Sequence, residues 1–217
     1  MGVELMMQAK VCCDLLAPLF LEDPAKPGVR PLLETLAGAD AEQLAGEWPL
    51  FAGDDEALGQ AMVQLRSGAV AALTDPQGAS RAFHHLFVGP RHLVAPPWGS
   101  VYTDHEKVVF GETCLELGLW LRRQGIDRLA DQTEPPDHIG RMLALLGWMA
   151  EHRPELVGEY AAGHLLTWSH HYFERLEPVA REEGHDLYRA AAALADGMLL
   201  AFQEGLGLEV RYPRFFM

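Results

Sequence analysis

The sequence predicts an all-α fold, one domain spanning residues 1–217 and built as a bundle of about ten helices. Three observations predict it. Apolar residues recur at three- and four-residue steps through most of the chain. Strand-like alternation is confined to the segment LEVRYPRFFM, and one isolated strand cannot build a sheet, so that segment is expected as an extended tail. The 217 residues, 49% of them hydrophobic, suffice for one sizeable core without requiring a second domain.

The elements follow in order. Residues 4–21 place Leu5, Ala9, Cys12, Cys13, Leu16, Leu19 and Phe20 on one helical face, with Pro18 expected to kink or shorten the helix. Pro24, Pro27 and Gly28 close it. Pro31 suits the first turn of a short helix to Ala37, because its missing N–H is not needed there. Asp40 is placed to cap a short helix to Gly46, and Trp48, Pro49 and Phe51 form an apolar connector. Asp54 and Asp55 precede ALGQAMVQLRSGAVAAL, where acidic side chains suit the positive end of a helix. From Gly78 to Val88 the periodicity resumes with Ala82, Phe83, Leu86 and Phe87 on one face, and Gly89-Pro90 stops it.

Beyond the loop that follows, Thr103 and Glu106 have capping-box spacing, predicting a helix from Asp104 to about Gln124 with Val108, Leu115, Leu119 and Trp120 inward and Gly125 at the stop. Asp137 is expected to cap the next helix, whose buried stripe is Ile139, Met142, Leu143, Leu146 and Met149 before Pro154 ends it. A helix from Glu155 to Gly163, a connector His164–Trp168, and a helix capped by Ser169 and running to about Glu182 come next. Gly184 breaks that helix. The last one, Asp186–Gly205, carries Leu187, Ala191, Leu194, Met198 and Phe202 at helical spacing.

The loop at residues 89–102 is the unusual stretch. Gly89, Pro90, Pro96, Pro97 and Gly99 forbid a helix, yet Leu93, Val94, Ala95, Trp98, Val101 and Tyr102 make it far more apolar than ordinary turn chemistry. Either Trp98 plugs the chain's own core, or the loop is a binding surface. Its prolines favour binding, since a stiff loop loses less entropy when a partner docks.

Charge narrows the partners. Seventeen Lys and Arg against 31 Asp and Glu give a net charge of −14, which disfavours nucleic acid and anionic membrane. A basic peptide would be attracted, although acidity also serves solubility alone. Three cysteines, two of them adjacent, make no disulfide framework and imply a reducing compartment, hence a cytoplasmic location. No stretch is long and apolar enough to span a membrane, and no export signal begins the chain.

Enzyme chemistry finds little support. Adjacent histidines at 84–85 and 170–171 point about 100° apart on a helix and suit one metal ion poorly. No HExxH, CxxC, P-loop, GxSxG or GxGxxG pattern is present, so no catalytic, cofactor-binding or metal-ligating residue is assigned. A helical metal-dependent hydrolase assembled from separate histidines is the enzymatic alternative. Asp137-His138 reads either as a general acid/base pair or, without any nucleophile nearby, as a helix cap beside a surface histidine.

The run LFVGPRHLVAPPWGSVYTDHEKVVFG, with EPPDHIG and HLLTW downstream, resembles the TorD/DmsD/NarJ family of molybdoenzyme maturation chaperones, nearest its DmsD branch. The resemblance covers roughly residues 80–200 and implies a helical fold of that type. It implies a non-enzymatic, cytoplasmic proofreading chaperone that binds the twin-arginine signal peptide of a molybdoenzyme catalytic subunit such as DMSO reductase and delays export until the cofactor is inserted. Translocase components are further partners it allows. Carried residue by residue, the leader-binding positions are Phe83, Leu86, Phe87, Pro97, Trp98, Gly99 and Ser100, then Pro135, Asp137 and His138. Leu86, Phe87 and Trp98 would receive the apolar part of the leader, and Asp137 and nearby acidic residues would face its arginines. Two departures bear on the client: Arg91 stands where an aromatic is frequent, and Thr167 replaces a proline. A TorD-like or NarJ-like client (trimethylamine N-oxide reductase, nitrate reductase or formate dehydrogenase) is the alternative within the family.

Overall fold

The structure is a computed structural model in which residues 2–89, 93–126 and 135–217 are described; Arg91 lies outside them, as do residues 127–134 of the connector. It is an all-α bundle, 72% helical, with eleven helices and no strand among the described residues. In chain order they are α1 Gly2–Leu21, α2 Arg30–Gly38, α3 Ala41–Glu47, α4 Asp55–Thr74, α5 Pro76–Phe83, α6 Gly99–Thr103, α7 Glu112–Arg123, α8 Ile139–His152, α9 Val157–Tyr160, α10 Ser169–Glu182 and α11 Asp186–Leu206.

The central layer is α1 against α8, with α11 packed on α1, α4 and α10. The apolar stripes expected on these helices are the buried ones: Leu5 to Phe20 on α1, Ile139 to Met149 on α8, Leu187 to Phe202 on α11. Glycine permits the close α1–α8 approach, because a Cβ on Gly147 would lie 3.0 Å from Cys13 Cβ. Pro18 does not shorten α1, which continues to Leu21. Asp40 and Asp54 cap α3 and α4 as their positions suggest, each carboxylate accepting the N–H three residues on.

Four expectations fail locally. The helix foreseen from Asp104 starts only at Glu112. Thr103 is the last residue of α6, its hydroxyl bonded to Gly99 O at 3.0 Å and to Thr113 Oγ1 at 2.7 Å, so it caps nothing. Between the two helices Lys107 and Phe110 take φ of 53° and 68°, which a right-handed helix cannot contain. The face of α7 also differs: Cys114, Leu117, Trp120 and Leu121 are buried, whereas Leu115 is 60% and Leu119 52% exposed, as Val108 is at 43%. Asp137 is not the cap of α8; His138 occupies that position. Nor does Ser169 cap α10, where Trp168 precedes the first turn without a side-chain bond.

Among the described residues, two helices end in π turns. After α5, residues His84–Val88 wind with the wider pitch and close with Gly89 N–H on His84 O at 2.9 Å; Gly89 then turns at φ 94° into the apolar loop. After α9, Ala161–Leu165 do the same before Trp168.

Candidate functional site

The apolar loop is pinned to the start of α8 by backbone. Trp98 and His138 form an isolated antiparallel bridge, with Gly99 N–H on Asp137 O at 3.1 Å and Ile139 N–H on Pro97 O at 2.8 Å. Pro97 and Pro135, both buried, flank this bridge. The Asp137 carboxylate adds a third tie, accepting the Ser100 N–H at 2.7 Å and so placing an anion at the start of α6. On the far side, Arg175 of α10 donates to Val94 O from Nε at 3.4 Å and Nη2 at 3.3 Å. Held at both ends, the loop presents Trp98 half-buried and Val94 53% exposed.

Gly99 is required by packing. A Cβ there would sit 2.6 Å from Trp168 Nε1, and the Trp168 ring is stacked on Tyr102 at 5.7 Å. Tyr102 is fully buried, so α6 is wedged between the loop and α10.

His138 is 5% exposed and edge-on to Trp98, ring centroids 5.8 Å apart. Its Nδ1 accepts the Gly140 N–H at 3.2 Å, so any proton of the neutral ring lies on Nε2. Burial, then the nearby Arg141 charge, pushes its pKa down to about 3. This is a neutral cap, neither the surface histidine nor the acid/base partner considered from sequence. Asp137 is equally enclosed at 3% exposure, bonded to Ser100 rather than presented to solvent arginines. Cys114 lies beside it; burial and then that carboxylate raise the thiol pKa to about 12.

The ten expected positions therefore divide. Pro97, Trp98, Gly99, Ser100, Pro135, Asp137 and His138 are brought together in one clamp. Phe83, Leu86 and Phe87 are not part of its surface: at 6%, 4% and 2% exposure they lie in the core, with Phe87 edge-on to Phe20 at 5.9 Å and to Tyr188 at 5.0 Å. As placed, Leu86 and Phe87 cannot receive a leader; they lock the π turn against α1 and α11.

An exposed apolar and acidic surface adjoins the clamp. Phe110 (56%), Leu115 and Leu119 stand outward, with Glu106, Glu112 and Glu116 exposed among them. The Thr103–Thr113 hydrogen bond ties this surface to α6. Asp104 helps, receiving the Thr113 hydroxyl at 3.4 Å; burial raises its pKa. Among the described residues no three or more His, Cys, Asp or Glu side chains gather where they could hold a metal ion, and no helix is long and apolar enough to cross a membrane.

The described residues thus form a helical scaffold on which an apolar loop is tied by backbone hydrogen bonds to the start of α8. Residues 52–176 match the family described as nitrate reductase delta subunit, and the chain belongs to that family, the TorD/NarJ/DmsD chaperones. It is 35% identical over 207 residues to the Tat proofreading chaperone DmsD of Salmonella paratyphi A, covering 95% of this chain and 94% of that one. It is 40% identical over 140 residues to the probable Tat proofreading chaperone DmsD of Haemophilus influenzae, 64% of this chain and 68% of that one. To the chaperone protein YcdY of Escherichia coli it is 27% identical over 176 residues, 79% of this chain and 83% of that one. Family and relatives are chaperones and not enzymes, and so is this chain.

Proposed function

We propose that the chain is a cytoplasmic proofreading chaperone that binds the twin-arginine signal peptide of a molybdoenzyme catalytic subunit, DMSO reductase being the first candidate, and delays its export until the cofactor is in place. The observation that carries this reading is the clamp itself. Asp137, His138, Pro97, Gly99, Ser100 and Pro135 hold Trp98 half-buried on a loop tied to α8, and an anchored aromatic is the side chain most able to concentrate binding energy. Phe83, Leu86 and Phe87 support that loop from the core.

The neighbouring surface matches such a leader in chemistry. Export leaders place positive charge before an apolar run, and here exposed Glu106, Glu112 and Glu116 border exposed Phe110, Leu115 and Leu119. Burial of three or four apolar leader side chains is worth about 5–12 kcal/mol, of which ordering the peptide costs roughly 2–5. Micromolar or tighter binding is expected, since about 8 kcal/mol corresponds to micromolar.

Calorimetric titration with synthetic leaders tests this. Heat from a twin-arginine leader and none from its scrambled sequence is the expected result; silence with every molybdoenzyme leader at high concentration overturns it. A TorD-like or NarJ-like client is the second reading, favoured by the family's description as nitrate reductase delta subunit. Ranking leaders from those enzymes against the DMSO reductase leader separates the two.

A further inference from the structure

The segment that follows α11 returns to α6, the helix whose first residues belong to the clamp. Gly207 ends the helix at φ 62°, and the chain then runs without regular structure to Met217, none of its residues fully buried. It docks beside α6. Phe216 N–H donates to Tyr102 O at 2.9 Å, and the Met217 backbone oxygen accepts from His171 Nε2 at 2.9 Å. The Phe215 ring stacks on His171 at 4.4 Å and 11°, while Phe216 meets His105 edge-on at 5.5 Å. Tyr102 lies one helical turn beyond Trp98 on the element that Asp137 holds.

The docked segment has the composition of a short leader. Arg211 and Arg214 precede Phe215, Phe216 and Met217, positive charge ahead of an apolar run, the order found in export signals. Arg211 and Arg214 are exposed, with the Arg214 guanidinium 5.5 Å from the Phe216 ring centre. The attachment is of a kind that opens easily: exposed backbone and half-buried rings place a segment at the low end of local stability.

We propose that residues 209–217 are a resident occupant of the peptide-docking surface, a tethered stand-in that an incoming basic and apolar leader must displace. This deepens the leader-binding reading and rests on it. The tail shows what its seat around Tyr102, His171 and His105 accepts: an extended main chain carrying aromatic side chains next to arginine. Displacement would make docking depend on the quality of the leader, since a weak one could not evict the tail.

The experiment compares the full chain with a chain lacking residues 209–217, each titrated with a synthetic twin-arginine leader, with circular dichroism verifying helix content. If the tail occupies the surface about nine-tenths of the time, its removal tightens leader binding by about tenfold. The added peptide 209–217 should bind the shortened chain and compete with the leader. The full-length double variant Phe215→Ser, Phe216→Ser should shift affinity in the same direction, with no truncation to disturb folding. Equal or weaker leader binding by both altered, folded proteins overturns the tail's role and leaves the chaperone reading standing. No leader binding by any of the three overturns both.

Discussion

At the scale of single residues, buried groups and presented groups separate cleanly around the loop. Phe87 touches the rings of Phe20, Phe83 and Tyr188, so Phe87→Ala should cost about 3–5 kcal/mol in a urea melt, as large-to-small core changes do. His138 makes a different prediction. Its folded pKa of about 3 lies below the ordinary value of 6.5, so between those values the unfolded chain binds the extra proton and stability falls as pH is lowered. His138→Asn retains an acceptor for the Gly140 N–H and cannot titrate. The stability difference between wild type and variant should therefore change by about 1–3 kcal/mol in favour of the variant from pH 7 to pH 4.5, measured by paired denaturant melts. A constant difference would place the histidine in water.

At the scale of elements, the long helices could be read from the sequence and the short or broken ones could not. The stripes of α1, α8 and α11 each span several turns, so a period of 3.6 outweighs any single exception such as Pro18. α7 was misread because Thr103-Asp104-His105-Glu106 has the letters of a capping box. The deciding facts are long-range: Thr103 bonds back to Gly99 and across to Thr113, and Phe110 turns left-handed. Leu115 and Leu119 suit a buried stripe by spacing, but packing buries the face of Cys114, Leu117, Trp120 and Leu121 instead. The clamp was legible only as a list of motif positions. Nothing local says that Asp137 reaches Ser100 or that Trp168 closes on Gly99, because those pairs are 37 and 69 residues apart and only the fold joins them. Two substitutions test these elements. Gly147→Leu drives a side chain into Cys13 and should cost at least about 1–3 kcal/mol in a thermal or urea melt. Leu119→Ser, on the outward face of α7, should change stability by less than about 0.5 kcal/mol yet weaken leader binding.

At the scale of the whole molecule, the charge of −14 is spread over a helical surface that presents carboxylates beside apolar side chains near the clamp. Association with a twin-arginine leader should therefore slow as ionic strength rises, while the apolar share of the affinity persists. Stopped-flow rates at low and high salt would read this directly, and identical rates would reduce the acidity to a solubility feature.

The central claim is that Trp98 is held for a partner rather than for the core, and one paired measurement addresses it: a urea melt and a leader titration on the same sample of Trp98→Ala. Trp98 is half-buried against the core, so the melt should shift by less than the ~3–5 kcal/mol of a full core deletion. The titration should show leader affinity falling by at least about tenfold, as loss of an anchoring aromatic does. Normal leader binding by the variant, or binding lost only in proportion to lost fold, would contradict the account.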